Sequence, residues 1–273
     1  MDDIEIKSWY YWPFHIKSGA CNMQTDHFLA REMYRNLDKP LLRFYAWTPF
    51  CISLGYHQNA LDVNHDLCQK RGIDLVRRPT GGRAILHATE LTYSVIYPFT
   101  GIDVTTIYRL IHLPFVKALQ NIGIPAEFKS AQIDLRKAYK TDQAILCFAT
   151  SAKYEVEIAG KKLIGSAQRI YKKAILQHGS VLLGSEHENV VEFLKMNERS
   201  KQMMKRYIKS HTTNIWQYKK EIQASELSNL VKKHFSKSFN IKFITINKNL
   251  KLVNALEEQY NRKNFKILIS QVA

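Results

Sequence analysis

Cysteine is scarce in this chain: four among 273 residues, Cys21, Cys51, Cys68 and Cys147. No pair has C-x-x-C spacing, which excludes a zinc ribbon and a dithiol redox motif. H-E-x-x-H and G-x-x-x-x-G-K-[ST] are also missing, so neither a zincin-type metal site nor a P-loop nucleotide site is expected. No apolar run approaches the roughly 20 residues that cross a bilayer. Asp2, Asp3 and Glu5 stand where a secretion signal would be basic and then apolar. The expectation is a cytoplasmic protein with no membrane partner. Internal repeats, low-complexity tracts and obvious flexible linkers are absent as well.

Acidic residues are in short supply, 24 against 40 Lys and Arg, which gives a formal charge of +16. Residues 201–273 hold fifteen Lys and Arg and four Asp and Glu, so most of the excess lies at the C-terminal end. A field of this sign draws acidic partners, whether nucleic acid, membrane surface or acidic protein, or it is simply a solvated face. No recognised nucleic-acid motif accompanies it. The hydrophobic fraction, 45%, is ordinary for a buried core, and the length suits one large α/β domain or two small ones.

Periodicity supplies the elements. Residues 5–15 mix Trp9, Tyr10, Tyr11, Trp12 and Phe14 with polar residues, as an edge strand with an aromatic face would. Met23, His27, Ala30 and Tyr34 recur at helical spacing over 22–36, with Pro40 just beyond. Leu41 to Trp47 reads as a strand and Pro49 to Gly55 follows it. A short helix is expected over 62–72, capped by Asp62 or Asn64 and stopped by Gly72. Residues 103–122 are helical by period, although Pro114 should kink or divide them. Three strand-like runs lie at Tyr154–Ile158, Lys162–Ile164 and Ala174–Leu183. Beyond residue 185 the pattern is helical and basic, with helices over 226–235 and 250–260 and a strand over 241–246.

The central stretch runs from Leu75 to Val95 and reads as a strand, a sharp Pro79-Thr80-Gly81-Gly82 turn, and a hairpin of Ala84–Leu86 and Leu91–Ile96. Paired glycines let backbone amides approach a ligand with no Cβ in the way, and Arg77, Arg78 and Arg83 bring positive charge to the turn. That suits an anionic or carbonyl-bearing ligand. It equally fits an ordinary hairpin with solvated arginines. Cys147 ends an apolar run, and fifteen positions on Lys162 follows a Gly160-Lys161 turn that would return it towards the sulfur. A cation there would favour the thiolate and polarise a carbonyl. By themselves these residues also read as a buried small hydrophobe and a solvated lysine. Cys21, Cys51 and Cys68 are assigned to packing. His87 and His178 interrupt apolar runs and are expected to line the pocket or brace the turn.

Together these residues resemble the lipoate/octanoate protein ligase and transferase family, in particular its LipM-type octanoyltransferases, over roughly residues 20 to 185. The family's Arg-Arg-x-[ST]-Gly-Gly turn and following strand ending in His are matched by Arg77, Arg78, Thr80, Gly81, Gly82 and His87. Asn22, Met23 and Asp26 match its first helix, and Ser53, Leu54, Gly55 and Gln58 its Ser-Leu-Gly-x-x-Gln segment. Cys147, Phe148, Tyr154, Gly160, Lys162, Gly165, Ser166, Ala167, Gln168, Gln177, His178, Gly179 and Ser180 match the rest. The A-T-S-A-K run after Cys147-Phe148 departs from relatives, which carry an acidic residue and Pro-Ser-x-Tyr.

The resemblance implies an α/β (α+β) fold with a mixed central sheet flanked by helices, like biotin protein ligases and class II synthetases. It implies a catalytic domain over 20–215 and a small basic helical extension over 216–273. The implied activity moves octanoate from octanoyl-acyl carrier protein, through a Cys147 thioester activated by Lys162, to a lysine of a lipoyl-type carrier protein. That carrier would be the glycine-cleavage H protein or an E2 domain. Substrate binding would fall to Arg78, Thr80, Gly81, Gly82, Arg83, His87, Gly165, Ser166, Ala167 and His178, in a monomer without ATP, metal or other cofactor. Burying an eight-carbon chain would contribute ~0.8 kcal/mol per methylene, so chain length should be sensed. The rival on the same fold is an ATP-dependent lipoate-protein ligase, disfavoured because Ala88 follows His87 where ligases carry Asp and because ligases do not need Cys147. A rival of another class, a non-catalytic nucleic-acid binder, would show steep salt dependence.

Overall fold

The computed structural model describes residues 7–36, 38–99, 101, 103–130 and 154–246. Its framework is an eight-stranded mixed sheet in the order β11-β1-β2-β6-β10-β9-β8-β7. The strands are β1 (Ser8–Lys17), β2 (Leu41–Trp47), β6 (Glu90–Pro98), β7 (Glu127–Ser130), β8 (Tyr154–Ile158), β9 (Lys161–Ile170), β10 (Ala174–Leu182) and β11 (Lys242–Thr245). A second sheet of three strands, in the order β4-β3-β5, comprises β3 (Cys51–Leu54), β4 (Asp74–Arg77) and β5 (Ile85–His87). The helices are α1 (Gly19–Asn36), α2 (His65–Lys70), α3 (Val104–Asn121), α4 (Glu198–His211) and α5 (Ala224–Phe239). This is the mixed, helix-flanked α+β architecture expected from the sequence. Among the described residues no helix is long and apolar enough to cross a membrane.

Strand alternation decides what each face of the large sheet carries. On one face Leu42, Phe44, Leu91, Tyr93, Val95, Ile175 and Val181 join α3 and α5 in the main hydrophobic core. The opposite face is apolar at one end, where Leu41, Ile96, Ala174 and Leu176 meet Phe28 and Leu29 of α1, and it also carries Tyr45 and Trp47 in a small cluster with Met23, Cys51 and Val76. At its other end it presents Arg43, Glu90, Thr92, Ser94, His178 and Ser180, all buried. The small sheet packs with α2, α4 and the turns over 186–193 in a separate apolar cluster.

Four local expectations change. β1 is interior rather than an edge, because β11 pairs parallel with Ser8 to Tyr11. Of the two expectations at Pro114, division does not occur: one helix runs over 104–121 with Pro114 inside it. A proline costs about 3 kcal/mol inside a helix, while Ile107, Ile111, Phe115 and Leu119, each buried, contribute about 1.5–3 kcal/mol apiece. β5 and β6 do not form a hairpin: β5 pairs with β3 and β6 with β2 and β10, so the chain changes sheets at Ala88-Thr89. The second of the three short runs lengthens, β9 extending from Lys161 to Ile170 so that the Gly165–Gln168 motif lies within a strand. Other expectations hold: Asn64 caps α2 by accepting from Leu67 N at 3.1 Å, and Ala159 and Gly160, with φ of 49° and 77°, make the tight β8–β9 turn. The helix expected over 250–260 lies outside the described residues.

His112 of α3 is fully enclosed against the sheet. Its Nδ1 donates to Tyr108 O at 2.7 Å and its Nε2 lies 2.9 Å from Ser166 Oγ. Burial pushes its pKa from 6.5 down to about 4, so the folded protein holds it neutral. The unfolded chain then binds the proton first, and stability falls as pH drops from 6.5 towards 4. At about pH 5 this residue should contribute about 2 kcal/mol less than at about pH 7.5. Because burial lowers His15, His27 and His187 to about 4 as well, its share is read by urea denaturation at the two values as the pH dependence lost in His112→Gln relative to the wild type, and an unchanged pH dependence would contradict a neutral buried His112.

Candidate functional site

The Thr80-Gly81-Gly82 bend joins β4 to β5 by passing over the end of the intervening strand β3. Thr80 is buried, while Gly81 and Gly82 are exposed. The approach is close enough to require glycine on both sides: a Cβ on Gly55 would lie 1.9 Å from Gly82 O, and Gly82 has φ +96°. Arg78, itself buried, holds the bend from behind. Its guanidinium donates to Gly81 O at 3.0 and 3.1 Å, to Arg83 O at 2.6 Å and to Ser53 O at 2.8 Å. Arg78 is therefore a brace whose donors are turned inward. Arg77 does the same for the segment after β3, donating to Gly55 O, Tyr56 O and Gln58 O. With its carbonyls drawn to Arg78, the bend directs backbone amides outward. Among the described residues neither the Gly81 nor the Gly82 N–H has an acceptor.

Two histidines tie this loop to the polar face of the large sheet. His178 Nε2 lies 2.6 Å from Thr80 Oγ1 and its Nδ1 lies 3.1 Å from Asp26 Oδ2. A carboxylate can only accept, so Nδ1–H donates to it. Burial lowers the His178 pKa, so the ring is held neutral and Nε2 accepts the Thr80 hydroxyl. Asp26 is fully buried. Burial alone would raise its pKa, but Arg43, His178 and Ser94 together hold it below the ordinary carboxylate value. Arg43 Nη1 reaches it at 2.5 Å, Tyr45 OH at 2.8 Å and Ser94 Oγ at 2.8 Å. The second tie runs through His87, whose Nε2 lies 2.7 Å from Ser53 Oγ and whose Nδ1 donates to Glu90 Oε1 at 2.8 Å. Trp47 stacks on the His87 ring at 4.0 Å and donates its indole N–H to Thr92 Oγ1 at 2.7 Å. Ser180 Oγ donates to Glu90 Oε1 at 2.8 Å. Arg169 adds a third tie, donating to Pro79 O at 2.8 Å while lying over the Tyr56 ring at 4.3 Å.

The expected site residues thus divide. Arg78, Thr80, Gly81, Gly82, Arg83, His87 and His178 form one bonded constellation. Gly165 and Ala167 lie directly opposite Ser180 and His178 and so share their face. Ser166 opposes Gly179, and its side chain points the other way, to Tyr93 OH at 2.8 Å and His112. Lys162 would follow Ser166 to that far face under simple alternation. It does not, because β9 has one residue more than β8 between the pairs Val156–Ile164 and Glu157–Lys162. This β-bulge at Leu163 returns Lys162 to the face of Gly165 and Ala167, about 10 Å along the strand from Gly165. There Lys162 is buried and ion-paired with Glu155. Cys147 lies outside the described residues. Cys51 and Cys68 suit packing: burial pushes the Cys51 thiol well up and that of Cys68 to about 11.

Asp26, Arg43, Tyr45, Trp47, Ser53, Glu90, Ser180 and Arg169 were not singled out as site residues. The available signal was alternation: Arg43-Tyr45-Trp47 and Glu90-Thr92-Ser94 interleave with apolar residues in strands buried on both faces. Asp26, Ser53 and Ser180 appear in the sequence only as motif matches.

Comparison with known proteins bears on this geometry. Residues 18–236 match the family described as the lipoyl protein ligase A/B catalytic domain. Among curated relatives, a protein of Lysinibacillus sphaericus named octanoyltransferase LipM is 34% identical, covering 93% of this chain and 96% of the relative. One of the same name from Brevibacillus brevis is 38% identical over 73% of this chain and 75% of its own length. Among solved structures, the bipartite lipoate protein ligase of Thermoplasma acidophilum has a TM-score of 0.75 at 22% identity, covering 95% of this chain and 94% of that one. A lipoate-protein ligase A bound with ATP gives 0.72 at 23%, covering 94% and 96%. At these identities the structures speak for the fold.

Gly55→Ala tests the contact beneath the bend. Its Cβ meets backbone, which cannot rotate away, so activity should fall at least about tenfold. Overpacking of this kind costs about 1–3 kcal/mol, measurable in the same variant by thermal unfolding. Full activity in Gly55→Ala would show that the bend does not need its seat on β3.

Proposed function

We infer the activity from the premise that this chain belongs to the lipoyl protein ligase A/B catalytic-domain family: it is an octanoyltransferase, an acyltransferase that modifies a lipoyl-type carrier protein. The observation that carries this reading is the likeness to octanoyltransferase LipM over 93% of the chain at 34% identity. The donor is octanoyl-acyl carrier protein. The Cys147 thiolate attacks its thioester carbonyl, the carrier's thiolate leaves, and the octanoyl group rests on sulfur. The ε-amine of the acceptor lysine, on the glycine-cleavage H protein or an E2 domain, then attacks that carbonyl. It gives up a proton as the Cys147 thiolate departs, and an amide is formed. Thioester exchange is nearly isoenergetic and amide formation runs downhill, so the sequence of steps calls for no ATP.

Within this reading the described residues have distinct tasks. Gly81 and Gly82 offer amides to the acyl carbonyl, and Thr80, Arg78, His87 and His178 hold them in place. Gly165 and Ala167, small residues on the same face, leave room for the acyl chain. Lys162 supplies the cation for the developing negative charge. We place the protein in the cytoplasm as a monomer, since its free thiols and acyl-carrier donor suit that compartment.

Incubation with octanoyl-acyl carrier protein, followed by intact-mass measurement, tests the reading. The wild type should gain one octanoyl group. Cys147→Ala should gain none and should lose transfer to the carrier by more than about a thousandfold, as removal of a covalent nucleophile does. Transfer persisting in Cys147→Ala would defeat the assignment, and lipoate-dependent conversion of ATP to AMP would favour the ligase instead.

A further inference from the structure

The ion pair behind Lys162 is a part of the site to which neither the motif matches nor the relatives' names give a role. Glu155 is 4% exposed and Lys162 5% exposed, and their charged groups are in direct contact. Alternation on β8 puts Glu155 and Glu157 on the same face, opposite Val156 and Ile158 of the main core. The two carboxylates are not equivalent. Glu157 stands opposite Lys162 in register, but its carboxylate lies 3.7 Å from Lys129 Nζ of β7, whereas Glu155 reaches across to Lys162. The bulge at Leu163 brings the lysine side chain round to that carboxylate.

We propose that Glu155 is a positioning residue, which keeps Lys162 a cation and fixes the direction in which its ammonium points. The inference rests on the reading of Lys162 as the group that meets developing negative charge. An ammonium removed from water without a partner tends to lose its proton, and a neutral amine would offer the acyl group much weaker stabilisation. A carboxylate in contact reverses that tendency. It also limits the direction in which the ammonium points.

The other groups facing Lys162 do not replace Glu155. On α4, Tyr207 lies near enough to Glu155 that the carboxylate, after burial itself, helps push the phenol pKa up, and His211 stacks on the Tyr207 ring at 3.8 Å. Thr212 forms a bridge with Lys162, its hydroxyl lies 2.9 Å from His187 Nε2, and Thr213 N donates to Lys162 O at 3.0 Å. Lys161, next along the strand, is exposed and adds positive charge. Among the described residues, Glu155 is a carboxylate in direct contact with the ammonium.

The test reads the ammonium itself in the full chain, with no acyl transfer needed. Competitive acetic anhydride labelling from about pH 7 to about pH 11, followed by peptide mass spectrometry, gives the titration midpoint of Lys162. Glu155→Gln should move that midpoint to at least tenfold higher proton concentration, and the basic limb of the octanoyl-transfer rate should move with it. Glu155→Asp keeps the charge but withdraws it by one methylene. It should shift the midpoint the same way by less, and it stands in should the Gln variant not fold. A lower rate at every pH with both midpoints unmoved is what a merely structural Glu155 would give, and it overturns the inference. A shifted midpoint in a wild-type protein that transfers no octanoate supports the pairing and removes only the octanoyltransferase reading. Normal transfer with an unmoved midpoint does the reverse.

Discussion

The grip of the buried Arg78 guanidinium on the diglycine bend is the interaction on which the site depends. One planar group takes the carbonyls of Gly81, Arg83 and Ser53, and so fixes the loop relative to the strand it crosses. Arginine suits this task because its donors form a rigid fork that stays charged at any ordinary pH. A lysine ammonium, with its three donors on one atom, would not span these carbonyls in a fixed plane. Drawing the carbonyls inward is also what leaves the glycine amides facing outward.

Such a loop would be of little use if the surface behind it could move. The polar face of the large sheet prevents that by burying two carboxylates, Asp26 and Glu90, each surrounded by donors from several strands and each holding a histidine. Removing one member of a buried, paired set leaves a charge or dipole uncompensated, at a cost of about 3–5 kcal/mol for an ion pair such as Asp26–Arg43. An apolar face could be more stable at less risk. The polar one specifies the position of Thr80 and Ser53, and hence of the bend, in a way that apolar packing would not.

Much of this was legible in the sequence where backbone chemistry dictates it. Gly81-Gly82 announces a bend because the left-handed φ of +96° at Gly82 favours glycine, and β2 follows directly from its run of aromatic and aliphatic residues. The supporting residues were harder to see. Arg43, Tyr45 and Trp47 in one strand and Glu90, Thr92 and Ser94 in another look like the solvent side of half-exposed strands, and only the presence of α1 and the small sheet above them makes that side interior. The split of β5 and β6 between two sheets has no local signal, since Ala88-Thr89 resembles a short turn. The bulge that redirects Lys162 is likewise invisible in Gly-Lys-Lys-Leu-Ile-Gly, because an extra residue is defined only against its partner strand. The direction of the Ser166 side chain is hidden for a related reason: in a strand, neighbours in a motif face opposite ways, so Ser166 points away from the face that Gly165 and Ala167 share.

The architecture is shared with lipoate ligases, whose fold this chain reproduces at 22–23% identity. On the proposed reading, what separates a transferase from a ligase on such a scaffold is whether the acyl group arrives as a thioester, and the bend would serve its carbonyl either way. Hydrogen–deuterium exchange across peptides spanning Arg77 to His87, before and after loading with octanoyl donor, tests that most directly. The account predicts that the Gly81 and Gly82 amides exchange readily in the free protein and become protected when the acyl group is bound. Octanoyl loading that leaves this segment unchanged, with protection arising elsewhere, would contradict it.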